Sequence, residues 1–235
     1  RQLDIPGVDT KFIEQRRGLF GELLDLVLPA THINEQSRGV KGFCRRYGLL
    51  DKPQRIRMRI LDPRLAIAGL TDLEVPVEQL AGLQLPLARV FVNENEVNAL
   101  AFPELPDSVL LFGQGYALDV LGQIPWLHKQ PLYYWGDIDT HGFAILNRLR
   151  TYLPHTQSML MDHSTLLQHQ ALWGQEPADT ACTSELPLLT CEEKSLYQAL
   201  RENSLCNDDG QPFNNLRFEQ EQVGFNWLQQ YLQQL

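Results

Sequence analysis

The chain has 235 residues, 43% of them hydrophobic and 21% charged, which is the composition of a globular protein with ample material for a core. No apolar run approaches the roughly 20 residues of a membrane-spanning helix, and nothing near the start reads as a signal peptide. The net charge of −9 argues against a simple nucleic-acid coat.

That mean hides an asymmetry. Residues 1–64 carry 13 Lys and Arg against 8 Asp and Glu, whereas residues 65–235 carry 7 against 21. A basic front and an acidic rear point to two modules with different partners; a solvated basic face without a partner is the plainer alternative. The four cysteines form no CxxC pair and no regular framework, so a reduced, cytoplasmic setting is expected. The chain opens on Arg1 rather than Met, which reads as a fragment or processed form.

In chain order, Asp9 is placed to cap a helix over residues 10–28 that carries Phe12, Leu19, Leu23, Leu24 and Val27 on one side and stops at Pro29. A second short helix is expected within "INEQSRGVKGFCRRYGLL". In "RIRMRIL", residues 55–61, Ile56, Met58 and Ile60 alternate with Arg55, Arg57 and Arg59, which predicts a strand with three arginines on one face. Helices followed by a basic strand fit a small winged-helix-like α+β module over residues 1–85.

From residue 86 the rhythm changes. Apolar strands "ARVFVNE", "SVLLFGQG", "PLYYWGDID" and "TQSMLMD" alternate with helical stretches "NEVNALAF", "YALDVLGQI", "THGFAILNRLRTYL" and "HSTLLQHQALW". This spacing predicts an α/β domain with a Rossmann-like, mainly parallel sheet over residues 86–235, extended by C-terminal helices. Thr190 and Glu193 have capping-box spacing, "NDDGQPFNN" is turn-rich, and "VGFNWLQQYLQQL" closes as an amphipathic helix.

Ligands of such sheets bind beyond the carboxyl ends of the strands. Glu94, Asp137 and Asp139 each fall at such an end. The two aspartates point the same way if their strand continues through Ile138, and Glu94 joins them if its strand is a neighbour. Three carboxylates close together repel unless a cation neutralises them. Such a cluster therefore implies a hard divalent ion, able to stabilise phosphoryl charge and to lower the pKa of an attacking water. Gly142 would allow a backbone or a phosphate to come close. A DxD alone is weak, because it also occurs in nucleotide-sugar transferases, in aspartyl-nucleophile phosphatases and in ordinary turns.

"VFVNENEVNAL" followed by "YYWGDIDTHGFAIL" resembles the Toprim pattern of topoisomerases, primases and some nucleases. More closely, "GVDTKFIE", "VNENEVNALAFP", "GDIDTHGFAIL", "LMDHSTLLQH" and "LRFEQEQV" resemble the JetD family of Wadjet anti-plasmid nuclease subunits, itself similar to the topoisomerase VI A subunit. The likeness runs along nearly the whole chain, and GDIDTHG is its most specific block. It implies a Toprim DNA endonuclease that uses magnesium, with manganese as an alternative. It further implies double-stranded circular DNA as substrate, a homodimer, and an SMC-type ATPase complex as partner. On this resemblance Glu94, Asp137 and Asp139 are the metal ligands and catalytic acids, and Glu96 a supporting residue. Thr140 and His141 stand where other Toprim sequences are sometimes acidic.

Other positions carry paired readings. His141 either touches a phosphate or a metal-bound water, or is a solvated helix-start residue. Asp162 either supports the metal through water or only caps the helix after it. Glu219 and Glu221 read as a solvated helix face. Tyr47 is placed to be a topoisomerase-like nucleophile, but its apolar neighbours favour packing. Arg45, Arg46, Arg55, Arg57 and Arg59 are the phosphate-contact candidates. Two further rivals remain. One is a non-catalytic DNA-binding or assembly module. The other is an aspartyl phosphatase built on "DIDT", with Asp137 as nucleophile, Lys194 as phosphate partner and "NDDG" as the late acidic pair.

Overall fold

A computed structural model describes residues 5–113, 118–177, 181–207 and 210–235. The chain divides into two compact units, Arg1–Gln54 and Arg55–Leu235.

Among its described residues the smaller unit holds three α-helices, α1 (Thr10–Gln15), α2 (Arg17–Val27) and α3 (Gly39–Arg46). Asp9 caps α1 by accepting from Phe12 N at 2.6 Å. The single helix expected over 10–28 is broken at Arg16. Its guanidinium takes the Phe12 carbonyl at 3.3 Å and lies 4.3 Å from the Phe12 ring, while its own N–H turns to Ile13 O. The carbonyl that would have continued the helix is thus occupied by a side chain. Arg46 grips both carboxylate oxygens of Asp25 at 2.9 Å and reaches the Ser37 carbonyl at 3.1 Å, tying α3 to α2.

The larger unit follows in order: β1 (Arg55–Ile60), β2 (Asp72–Pro76), α4 (Val77–Ala81), β3 (Arg89–Asn93), α5 (Glu96–Ala101), β4 (Ser108–Phe112), α6 (Leu118–Leu121), β5 (Leu132–Trp135), α7 (Thr140–Tyr152), β6 (Gln157–Ser158), α8 (His163–Gln168), β7 (Gly174–Gln175), α9 (Cys191–Arg201), β8 (Leu216–Arg217) and α10 (Phe225–Leu232). Six strands form one sheet in the order β2-β1-β4-β3-β5-β6. β4, β3, β5 and β6 are mutually parallel, while β1 runs antiparallel to both β4 and β2. The expected mainly parallel α/β sheet is therefore present. Residues 116 and 117 of the helix expected after β4 lie outside the described residues.

The basic strand belongs to this sheet. The division between the units falls at Gln54, some thirty residues before the boundary expected at residue 85. β1 pairs with β4 from Arg57↔Phe112 to Ile60↔Val109, and buried Met58 and Ile60 join the main core. A period-two pattern fits a separate module and a core sheet equally well; the partner strand decides.

The central strands are buried on both faces. Val90 and Val92 of β3 enter a core lined by α4, α6, α7, α8 and α9, whereas Phe91 faces a second cluster with α5 and α10. Two-sided burial is what gives these strands their continuous apolar runs. β6 is much shorter than expected because Leu160 adopts φ 56°, although Met159, Leu160 and Met161 all stay buried. Arg150 of α7 and Glu193 of α9 form a buried two-point ion pair joined by Ser158 of β6, and Glu193 also completes the expected capping box with Thr190. Among the described residues no helix is long and apolar enough to cross a membrane.

Candidate functional site

β3 and β5 are parallel neighbours in register Asn93↔Trp135, so Glu94 and Asp137 leave the sheet at the same end. There they line a cavity of about 370 Å³ together with Asp139, His141, Glu176 and Arg217. The cluster of sequence-expected acids and the pocket at the carboxyl ends of the strands therefore coincide.

Each acid is held by a different local device. Tyr134, fully buried in β5, donates its hydroxyl to Glu94 Oε1 at 2.6 Å. Gly136 makes room for that hydroxyl, since a Cβ there would stand 2.8 Å from Tyr134 Cζ. Asp139 is the N-cap of α7 and accepts from Gly142 N at 2.7 Å. A Cβ on Gly142 would meet the Asp137 carbonyl oxygen well inside 3.0 Å. The glycine thus serves a close backbone approach, one of the two uses its position suggested.

β5 ends at Trp135, yet the alternation carries on. Ile138 forms an antiparallel bridge with Phe218, Ile138 N to Phe218 O at 2.9 Å and Phe218 N to Ile138 O at 3.1 Å. Ile138 and Phe218 are both buried, so the residues on either side of each turn toward the cavity. Asp137 and Asp139 thereby meet Arg217 and Glu219. Arg217 Nη2 donates to Asp137 Oδ2 at 3.0 Å and lies 3.3 Å from Glu219 Oε1. Its Nε is 3.5 Å from Asp139 Oδ2, near enough for ionic attraction but without a hydrogen bond. Gln220 N donates to the other Asp137 oxygen at 2.9 Å.

Glu219 and Glu221 both line the cavity, Glu219 half-buried. Glu221 is exposed on the short helical turn Gln220–Gln222, as the solvated-face reading expected, and accepts from the Asn95 side chain. The short alternation Leu216-Arg217-Phe218-Glu219 was the available signal for a strand. Glu176, which sequence reasoning passed over, is only 6% exposed. One of its oxygens accepts from Thr140 Oγ1 at 2.9 Å, and the other is buried without a partner.

The electrostatics follow from crowding. Burial raises the pKa of Glu94, the Tyr134 hydrogen bond partly counters this, and the charges of Asp137 and Asp139 raise it further. Burial likewise raises that of Asp139; Gly142 N and Arg217 oppose the rise, while Asp137 and Glu176 reinforce it. Burial works against the charge on Arg217, but the Asp137 hydrogen bond and the surrounding carboxylates outweigh it and hold the guanidinium protonated.

The donor chemistry fits a hard divalent cation: carboxylate oxygens, two of them destabilised in the charged form, plus the unpartnered oxygen of Glu176. Among the described residues no three acidic, histidine or cysteine side chains are already drawn together as a closed ligand set, and Arg217 supplies the local positive charge. A magnesium-like ion does not require a closed set, because it usually takes one or two carboxylates and keeps several waters. Glu94, Asp137 and Asp139 could hold it.

The remaining candidates separate. His141, itself exposed, lines the cavity from the otherwise buried first turn of α7. Glu96 is exposed and ion-paired to Arg57, away from the cavity lining. Asp162 caps α8 by accepting from Thr165 N at 2.7 Å and opens onto a different cavity. Arg57 also pairs with Asp72 and stacks on Phe112, and Arg59 donates to the carbonyls of Ala99, Leu100 and Phe102. These two arginines anchor α5 and its flanks. Arg55 and Arg45 are exposed. In the smaller unit, the Tyr47 hydroxyl lies 2.6 Å from Asp25 Oδ1 and 2.9 Å from Gly21 O, its ring packs on Phe43, and burial and Asp25 raise its pKa. Lys194 is exposed and absent from the cavity lining. Asp208 and Asp209, the late acidic pair of the phosphatase reading, lie outside the described residues.

No curated protein matches the chain. Residues 1–25 are similar to a family described as an uncharacterized protein conserved in bacteria, N-terminal part. Residues 48–232, from the end of the smaller unit through α10, match the family described as Wadjet protein JetD, C-terminal. The match takes in β1 to β8 and every acid of the cavity, and the chain belongs to the JetD C-terminal family.

Proposed function

We propose that the chain is the catalytic part of a divalent-metal-dependent DNA endonuclease acting in a Wadjet defence system, with a Toprim-type site in the larger unit. One observation carries the reading: Glu94, Asp137 and Asp139, from the ends of two neighbouring parallel strands, share one open cavity. Family membership supports the Wadjet role. By the same reading the substrate is double-stranded circular DNA, the cofactor magnesium or manganese, and the setting the cytoplasm. A homodimer works alongside an SMC-type ATPase complex, and the helical smaller unit acts as a DNA-binding module.

When bound, the ion would neutralise phosphoryl charge and raise the acidity of a water. The chain's own residues do the rest. Tyr134 fixes the Glu94 carboxylate, Gly142 N fixes Asp139, and Gln220 N fixes Asp137, so the acids are oriented before DNA arrives. His141, in the first turn of α7, faces the space a phosphate would enter. Arg45 and Arg55, both exposed, are the side chains best placed among the arginine candidates to meet the DNA backbone.

The test is cleavage of supercoiled plasmid by the full-length protein with its partner complex, with and without magnesium. Asp137→Asn and Glu94→Gln should each lower cutting by at least about 100-fold, whereas Tyr47→Phe should leave it intact and leave no protein on the DNA ends. Cutting that survives both acid substitutions, or that Tyr47→Phe abolishes, refutes hydrolysis at this cavity.

A further inference from the structure

Arg217 is a basic side chain set in the middle of an acidic cavity. Among the described residues lining the cavity it is the only lysine or arginine, set against Glu94, Asp137, Asp139, Glu176, Glu219 and Glu221. Its place is fixed by backbone on both sides: β8 pairs Arg217 with Gly174 of β7, and the next residue, Phe218, is bridged to Ile138. The guanidinium therefore sits in the gap between the two aspartates by construction, 3.0 Å from one and 3.5 Å from the other.

Its charge does not complete the site. Nε is buried without a hydrogen-bond partner, and Glu176, nine-tenths buried beside Asp139, keeps one carboxylate oxygen unpartnered. One positive charge faces six carboxylates. A cavity left this negative favours any further cation, and a doubly charged one most of all.

We propose that Arg217 is a built-in counterion that a divalent cation must displace from Asp137 and Asp139. It keeps the two aspartates folded against one another in the metal-free protein, and it sets the metal concentration at which the site fills. Once displaced, the guanidinium remains at the cavity wall as the positive group nearest an entering phosphate. This rests on the metal-dependent reading above and adds to it a residue that competes with the metal.

The experiment measures Mn²⁺ binding to the full-length protein without DNA, by loss of the free-ion electron paramagnetic resonance signal, for wild type, Arg217→Gln, Arg217→Lys and Asp137→Asn. Thermal unfolding is followed with and without Mn²⁺. Arg217→Gln should bind Mn²⁺ about tenfold or more tighter than wild type, since one competing charge at ion-pair distance is removed. Arg217→Lys keeps the charge but loses the two-point grip, so it should fall between them; if the glutamine variant does not fold, the lysine variant carries the comparison. The metal-free glutamine variant should melt below wild type and gain more from Mn²⁺. Equal or weaker binding by the Arg217 variants, with Asp137→Asn reducing binding, overturns the counterion role and leaves the metal reading standing. Absence of Mn²⁺ binding in every protein overturns both.

Discussion

Gly142→Ala pits two effects of opposite sign. In an ordinary helix the exchange stabilises by about 0.8–1 kcal/mol through propensity. At this position the new Cβ would meet the Asp137 carbonyl oxygen far inside contact distance and the Asp137 carbonyl carbon at 3.1 Å. Relief needs a backbone displacement on the order of 1 Å, and overpacking of this kind costs about 1–3 kcal/mol. A shift of that size also breaks the 2.7 Å bond from Gly142 N to Asp139, a cap worth about 1 kcal/mol. Repulsion and lost cap together exceed the propensity gain, leaving a net loss of about 1–3 kcal/mol. For a domain of this size that lowers Tm by roughly 2–12 °C. Circular-dichroism melting of wild type and variant measures it, and plasmid cleavage should fall in parallel because Asp137 and Asp139 are moved. A Tm that is unchanged or raised would refute the close approach as the reason for the glycine.

The remaining predictions concern charge. Glu94 has its pKa raised above the ordinary 4.5, so its contribution to stability is full below that pH and is lost as pH rises through the folded value. Metal-free Glu94→Gln should therefore melt above wild type at neutral pH, with the gain shrinking as pH is lowered toward 4; a gain independent of pH would contradict this. Burial opposes ionisation of Glu193, but Arg150, Ser158 and the Thr190 N–H prevail and lower its pKa below 4.5, so its support is present above that pH and lost only on further acidification. Glu193→Gln leaves Arg150 buried without its partner and should cost about 3–5 kcal/mol in denaturant unfolding at pH 7; a loss under about 1 kcal/mol would show that the pair is dispensable.

The fold was legible where burial leaves a mark on neighbouring residues. β3 and β4 are covered on both faces, so their runs are apolar without interruption, and the helices between them carry their own periodicity. The strand carrying Arg55, Arg57 and Arg59 was equally legible as a strand but not as a member of this sheet, because alternation records which face is buried and not which strand lies alongside. The break at Arg16 depends on a side chain choosing the Phe12 carbonyl, a competition that no pattern of hydrophobicity reports. At the site, Glu94, Asp137 and Asp139 could be found because parallel strands deliver their carboxyl ends to one place. Arg217 reaches Asp137 across 80 residues, and Glu176 follows a two-residue strand; neither has a local signature beyond the brief alternation around Phe218.

This arrangement also explains how an acidic rear domain can belong to an enzyme whose proposed substrate is a polyanion. Residues 65–235 carry 21 acidic against 7 basic side chains, and six of those acids converge on one cavity. Of the three arginines that the basic strand brings into the larger unit, Arg57 is ion-paired to Asp72 and Glu96, Arg59 is half-buried and donates to carbonyls, and Arg55 is exposed. Apart from Arg55, the basic strand therefore has little positive charge to offer DNA. On the proposed reading, attraction to the phosphate backbone falls to Arg55 and to exposed cations such as Arg38, Lys41 and Arg45 of the smaller unit. On the same reading, a phosphate enters the cavity only when added positive charge exceeds what Arg217 supplies. Metal dependence and division into a basic and an acidic unit would then be two consequences of the same charge distribution: the basic unit would attract the strand, and the acidic unit would accept it only with a cation in place.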